Sequence, residues 1–202
     1  MQLHYTETSP FARLARIVVI EKGLTDRVTL IEAKTRVANS PYYRINPSGR
    51  VPYLVRDDGQ TMEDSQLICA YLDSLDGNPQ LHVPFQHQDW AYGRLETYAR
   101  SMTDGVSVFI REMRRAANER SPTILAHEIE RAKRLADFWE HEIEHPLMNG
   151  PLNMAQMLLI VALDIGRSAK MADLTEGRAH LTTWARRVRA VPAVALTRPE
   201  GR

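Results

Sequence analysis

One cysteine in 202 residues, Cys69, excludes an intrachain disulfide and a cysteine-rich zinc site. Stability must therefore come from packing, and a thiol needed for chemistry is expected from a second molecule. Charge of either sign is also not in excess: the first 78 residues hold 9 basic and 10 acidic side chains, and the rest hold 17 and 15. Neither part has the basic surplus of a nucleic-acid-binding surface. Long apolar runs are missing as well. The longest, Met157 to Leu163, falls far short of the roughly 20 residues of a membrane helix, and Met1 leads straight into a strand-like pattern without the charged start of a signal peptide. The expected location is the cytoplasm, with neither membrane nor nucleic acid as partner. What remains, 44% apolar and 25% charged residues, is ordinary globular composition with enough chain for one large core or two small ones.

Periodicity divides the chain. Leu3 and Tyr5 alternate through residues 2–6, then Phe11, Leu14, Ala15 and Val18 recur at helical spacing up to Gly23, and Val28 to Ile31 reads as a second strand. That is a βαβ unit, so the two strands should run parallel. Residues 51–55 and 60–62 flank Asp57-Asp58-Gly59, a hairpin signal. A helix follows with Leu67, Ile68, Tyr71, Leu72 and Leu75 as its apolar positions and Gly77 at its end. Two prolines and no period mark a linker over 79–86. Beyond it every pattern is helical: a stripe from Ala91 to Met113, another from Leu125 to Ile143 stopped by Pro146, an all-round apolar helix over 154–165, and a last one around Leu181 and Trp184. Asn153 and Gln156 read as a capping box in which Gln156 reaches back to the cap, and Leu152 as a staple onto Met157. The expected architecture is α/β plus all-α: a βαβ-ββα domain over 1–78, the linker, and a helical bundle over 87–202.

Ser9-Pro10 at a strand-to-helix junction suits an N-cap followed by proline at the first helical position. Capping uses the serine oxygen as an acceptor and leaves its hydrogen free to donate. A thiol has a pKa near 8.5, and a hydrogen bond to its charged form is worth roughly 1.5 to 3 kcal/mol, or about one to two pKa units. Such a donor, helped by the helix dipole, makes the thiolate of a bound molecule its main form at neutral pH. Asp64-Ser65 opens another helix: its N-terminus attracts a carboxylate, and the adjacent acid attracts an ammonium. Without further context the plain reading is a helix cap.

Three segments, SPFARLAR from Ser9, NPSGRVPYL from Asn46 and DSQLICAYL from Asp64, resemble the glutathione-site segments of the cytosolic glutathione S-transferases. The resemblance implies a thioredoxin-like first domain, a helical second domain, glutathione as co-substrate and a homodimer. It implies a serine-type site in which Ser9 activates the thiol. Val51 before the cis-proline turn would pair its backbone with glutathione, and Asp64 and Ser65 would hold the γ-glutamyl end. The family usually has Glu where Asp64 stands. Arg50, with Lys34 as a lesser candidate, would meet the other carboxylate, and Asp104 would reach across the dimer toward the partner's ligand. A small hydrophobic electrophile would lie near Phe11, Tyr98, Met102 and Phe109. The implied activity is that of a glutathione transferase. The same fold also serves non-catalytic binding modules, and the same site serves glutathione-dependent isomerases.

Tyr5 is the alternative thiol activator, although its alternation with Leu3 reads as core. His141-Glu142-Ile143-Glu144-His145 matches the zinc-hydrolase pattern H-E-x-x-H, which needs both histidines on one helix facing a cleft. Here both lie about 200° around the helix from the Trp139 and Ile143 stripe and should face water, so no metal is expected. Cys69 reads as core, and the pairs Arg114-Arg115 and Arg186-Arg187 as solvated outer faces.

Overall fold

The computed structural model describes residues 1–76, 78–81 and 90–199. Most of the expected linker, together with Gly77 and the last three residues, lies outside them. The chain divides into two units, Met1–His82 and Val83–Arg202.

In the first unit, strands β1 (Gln2–Tyr5), β2 (Thr29–Glu32), β3 (Tyr53–Val55) and β4 (Thr61–Glu63) form one sheet in the order β2-β1-β3-β4. β2 runs parallel to β1, as a βαβ crossover requires, and β3 and β4 are antiparallel. Helix α1 (Pro10–Glu21) fills the crossover and α2 (Ser65–Ser74) follows β4. This is the expected thioredoxin-like arrangement. The cross-strand partners Leu3 and Leu54 are both closed to solvent, as are Leu14, Ile17 and Val18 of α1 and Ile68 and Leu72 of α2. Each such side chain contributes about 2 kcal/mol by leaving water. The alternate partners His4 and Tyr53 point to the other face, where Tyr42 and Ala33 cover them. Leu67 departs from its expected core place and is 53% exposed, because the buried face of α2 runs through Ile68 and Leu72 and leaves it at the margin.

Both ends of α1 are fixed locally. Ser9 caps its start, and at its end Leu24 N–H reaches the Val19 carbonyl at 2.8 Å while Gly23 N–H reaches that of Ile20 at 3.0 Å. That pattern needs a left-handed residue between helix and exit, and Gly23 has φ +63°. The same corner holds Lys22, buried, with Nζ 2.7 Å from the Pro79 carbonyl, 3.1 Å from Asp73 and 2.7 Å from Asp76.

The second unit is helical: α3 (Trp90–Met113), α4 (Pro122–Glu142), α5 (Pro146–Asn149), α6 (Met154–Ser168), α7 (Ala179–Arg189) and α8 (Pro192–Leu196). α6 is buried on every side from Met154 to Gly166 and packs mainly on α3, where the Thr103 hydroxyl donates to the Leu158 carbonyl at 3.2 Å. Asp164 of α6, buried, accepts from Arg189 of α7 at 2.6 Å. Asn153 caps α6 as expected. Gln156, however, donates its amide to the carbonyls of Leu147, Gly150 and Pro151 at 3.0 to 3.3 Å instead of reaching back to the cap, since an amide nitrogen suits those unpaired carbonyls. Pro146 does not stop α4, which ends at Glu142; it opens α5, where a missing N–H costs nothing. Arg187 is no mere outer-face charge, for it donates to the Met148 carbonyl and the Asn149 amide oxygen. Among the described residues no helix is long and apolar enough to cross a membrane.

Candidate glutathione site

The strand register gathers the first unit's candidates at one end of the sheet. His4 pairs with Tyr53 and Tyr53 with Glu63, so the exit of β1 toward Ser9, the entry to β3 at Val51 and the exit of β4 at Asp64 lie side by side. Ser9 has extended backbone and accepts from the Ala12 N–H at 3.2 Å. Its hydroxyl hydrogen has no acceptor among the described residues, and the side chain is half-buried. Position, cap and free donor thus coincide in one residue at the positive end of a 12-residue helix.

Val51-Pro52 is a cis peptide. Immediately before it, residues 46–50 fold around Asn46. Gly49 has φ +66°, and a Cβ there would stand 2.7 Å from the Tyr43 ring, so no larger residue fits. The peptide groups of Arg50 are both taken: its N–H donates to Ser48 Oγ at 3.2 Å, and its carbonyl accepts from the Tyr42 hydroxyl at 2.5 Å and from Asn46 Nδ2 at 3.0 Å. The peptide groups of Val51 have no partner among the described residues. The Arg50 side chain is exposed, without an ion pair among those residues, and Lys34 is exposed on the preceding segment.

Asp64 accepts from the Gln66 N–H at 2.7 Å as N-cap of α2, and its φ of +78° places a non-glycine residue in the left-handed region. Such a conformation costs roughly 1 to 3 kcal/mol and is held where the surroundings demand it. The carboxylate remains exposed, while Ser65 beside it is buried. An exposed acid and a helix N-terminus together offer complementary charges to a zwitterionic amino-acid end. Glu63, one residue earlier, accepts from Ser48 Oγ at 2.5 Å and links this turn to the 46–50 loop. Sequence reading missed Tyr42, Asn46, Ser48 and Glu63, whose partners depend on how the loop folds.

Tyr5 is half-buried rather than core, with the Arg16 guanidinium 4.6 Å from its ring centre. Burial and the neighbouring Glu7 push its phenol up, with Arg16 opposing. Phe11 is half-buried on α1. The remaining pocket candidates lie on α3 in the second unit. Tyr98 is 39% exposed and stacks on Phe138, with ring centres 4.2 Å apart. Met102 and Phe109 are 1% and 3% exposed, so neither has an open face for a substrate, and they belong to the packed interior. Their helical spacing reads the same whether a stripe faces a core or a cleft. Asp104 is exposed on the same helix.

The H-E-x-x-H segment straddles a helix end. α4 stops at Glu142, His141 is exposed, and half-buried His145 uses Nδ1 to accept the Leu147 N–H at 3.2 Å as cap of α5. The two histidines therefore do not share one helical face. A surface cavity of about 540 Å³ in the second unit is lined by Ile143, His180, Trp184 and Arg187 among others, and none of the predicted site residues lines it.

Residues 8–75 match the family model of the glutathione S-transferase N-terminal domain. An uncharacterised glutathione S-transferase-like protein of Escherichia coli, YibF, is 27% identical over 164 residues, 81% of this chain and 80% of that protein. A glutathione transferase family member from Pseudomonas fluorescens, solved with bound glutathione, has a TM-score of 0.88 at 23% identity, covering 98% of each chain. A glutathione S-transferase from Methylobacillus flagellatus, also solved with glutathione, has a TM-score of 0.86 at 23% identity and the same coverage. The structural likenesses establish the fold over nearly the whole chain. The domain match itself is confined to the first unit, residues 8–75.

Proposed function

We propose that the protein binds glutathione at the open end of its first-unit sheet and activates the thiol through Ser9 for attack on a small hydrophobic electrophile, as a serine-type glutathione transferase. The observation that carries this reading is the Ser9 hydroxyl, whose oxygen is committed to the helix cap while its hydrogen is uncommitted among the described residues. A thiolate placed at that helix start receives both a hydrogen bond and the favourable end of the dipole. Supporting it are the unpaired peptide groups of Val51, which suit a strand-like partner, and the Asp64-Ser65 turn, which suits the γ-glutamyl end. Arg50 extends an exposed guanidinium, without an ion pair among the described residues, for the remaining carboxylate. The two relatives solved with glutathione support the ligand's identity.

The reading keeps 1–78 as the glutathione domain and 87–202 as the helical one, in a homodimer where Asp104 contributes to the ligand of the partner. Phe11 on the first unit and, separately, Tyr98 on the second are the candidates for electrophile contact that keep an open face. Titration of the protein with glutathione by calorimetry tests the reading. Saturable binding with one site per chain is expected, together with a rise in melting temperature. No binding and no thermal shift at millimolar glutathione would instead assign the chain to the non-catalytic members of the fold.

A further inference from the structure

Three side chains, Tyr42 before the 46–50 loop and Asn46 and Ser48 within it, bond to the backbone of a single residue, Arg50. The Arg50 carbonyl accepts from the Tyr42 hydroxyl at 2.5 Å and from Asn46 Nδ2 at 3.0 Å, and the same Asn46 amide lies 3.5 Å from the Tyr42 oxygen. Asn46 is 1% exposed and Tyr42 4%, so both side chains of this knot are closed to solvent. Burial, partly offset by Asn46, pushes the Tyr42 phenol up, and its hydroxyl keeps its hydrogen at neutral pH. Asn46 Oδ1 accepts the Ser48 N–H at 3.0 Å, Ser48 Oγ accepts the Arg50 N–H at 3.2 Å, and the Ser48 hydrogen goes to Glu63 at 2.5 Å. Every donor and acceptor in this chain has one consistent direction.

The Arg50 carbonyl and the Val51 N–H belong to one trans peptide plane and point in opposite directions. Holding the carbonyl from one side therefore aims the N–H out of the other. Val51 N–H has no partner among the described residues. Glu63 is the last residue of β4 and adjoins Asp64, so the Ser48–Glu63 bond ties Arg50, through the N–H of its preceding peptide, to the turn that caps α2.

We propose that Tyr42 and Asn46 are positioning residues that aim the Val51 N–H at the backbone of bound glutathione, and that Ser48 with Glu63, acting on the other side of Arg50, locks that residue in register with Asp64. The proposal rests on the reading of the first unit as a glutathione site. It separates two tasks: this network sets how tightly glutathione is held, and Ser9 sets how its thiol ionises.

The test measures glutathione affinity by calorimetry and ionisation of the bound thiol by thiolate ultraviolet absorbance, on the full chain. Tyr42→Phe keeps the ring and removes the hydroxyl. It should weaken binding about five- to tenfold, the worth of one hydrogen bond. Ser48→Ala, at an exposed position where folding is not at stake, should weaken it about fivefold, and Ser48→Thr, which restores a hydroxyl, should return affinity to within about twofold of wild type. The pH midpoint of thiol ionisation should stay unchanged in all three. Wild-type binding with unchanged affinity in Tyr42→Phe and Ser48→Ala would overturn the positioning role alone, as would a shifted thiol midpoint. Absence of binding by the wild type would remove the glutathione reading itself and this proposal with it.

Discussion

Lys22 and Asp76 form an ion pair at 2.7 Å in which the lysine side chain is closed to solvent while the aspartate is partly open. Desolvation alone would lower the lysine pKa, yet the hydrogen bonds that Lys22 donates to Asp76 and Asp73 together outweigh it and raise it. The pair joins the end of α1 to the exit of α2, where Asp73 also accepts the Leu81 N–H at 3.0 Å. Removing the cation takes the charge-neutralising donor away from the nearly buried Asp73 carboxylate and from the Pro79 carbonyl. Lys22→Met should therefore destabilise the chain by about 3 kcal/mol in urea unfolding. Because the folded pKa of Lys22 is raised, its contribution is complete below the ordinary lysine value and is lost as pH rises through the folded one. Asp76, lowered chiefly by its bond to Lys22, loses its share as pH falls below the carboxylate range.

His4 responds to acid in the opposite sense from a paired histidine. It is 3% exposed between the rings of Tyr42 and Tyr53, its Nε2 has no partner among the described residues, and burial lowers its pKa below 6.5. The unfolded chain therefore takes up this proton first, so the stabilisation present above about pH 6.5 is lost as pH falls through the lower folded value. His4→Phe should flatten the decline in melting temperature between about pH 7 and 5. An equally steep decline in the variant would show that other groups cause it.

At Asp64, capping and charge can be separated. Asp64→Asn retains a side-chain acceptor for the Gln66 N–H and tolerates the left-handed backbone, so stability should change by less than about 0.5 kcal/mol. It removes the charge offered to the ligand's ammonium, and glutathione affinity should fall about tenfold. Asp64→Ala loses the cap and strains the backbone as well, and should cost about 2 kcal/mol of folding stability in addition.

The two histidines of the H-E-x-x-H segment should differ. His141→Ala, at an exposed site, should leave stability within about 0.5 kcal/mol, and His145→Ala should cost about 1 kcal/mol because it removes the α5 cap. Neither should alter glutathione binding. Activity lost together with stoichiometric bound zinc in the double variant would contradict this.

What was legible in the sequence is what neighbours in sequence determine. Ser9-Pro10, Asn153 and Gly23 act within one helical turn, and their roles follow from residue type and spacing. The Asp-Gly hairpin and the parallel β1–β2 pair are equally local in origin. Failures came where a side chain answers to residues far along the chain. Gln156 serves carbonyls up to nine residues away, Lys22 serves the far end of α2, and Tyr42 serves Arg50 only because the loop between them folds back. Met102 and Phe109 failed for another reason, since period alone does not tell a core-facing stripe from a cleft-facing one. Ser48 and Glu63 carried no motif signal at all.

The central claim is that Ser9 donates a hydrogen bond to the thiolate of bound glutathione, and Ser9→Gly tests it most directly. Glycine caps a helix nearly as well as serine, so α1 and overall stability should be kept to within a few tenths of a kcal/mol, while the donor is gone. The measurement is a pH titration of thiolate ultraviolet absorbance in the glutathione complex of the wild type and the variant. The account predicts that the variant still binds glutathione but that its thiol ionises about one to two pH units higher, the worth of one hydrogen bond to a charged acceptor. An unchanged midpoint would contradict it and leave Ser9 as a helix cap only.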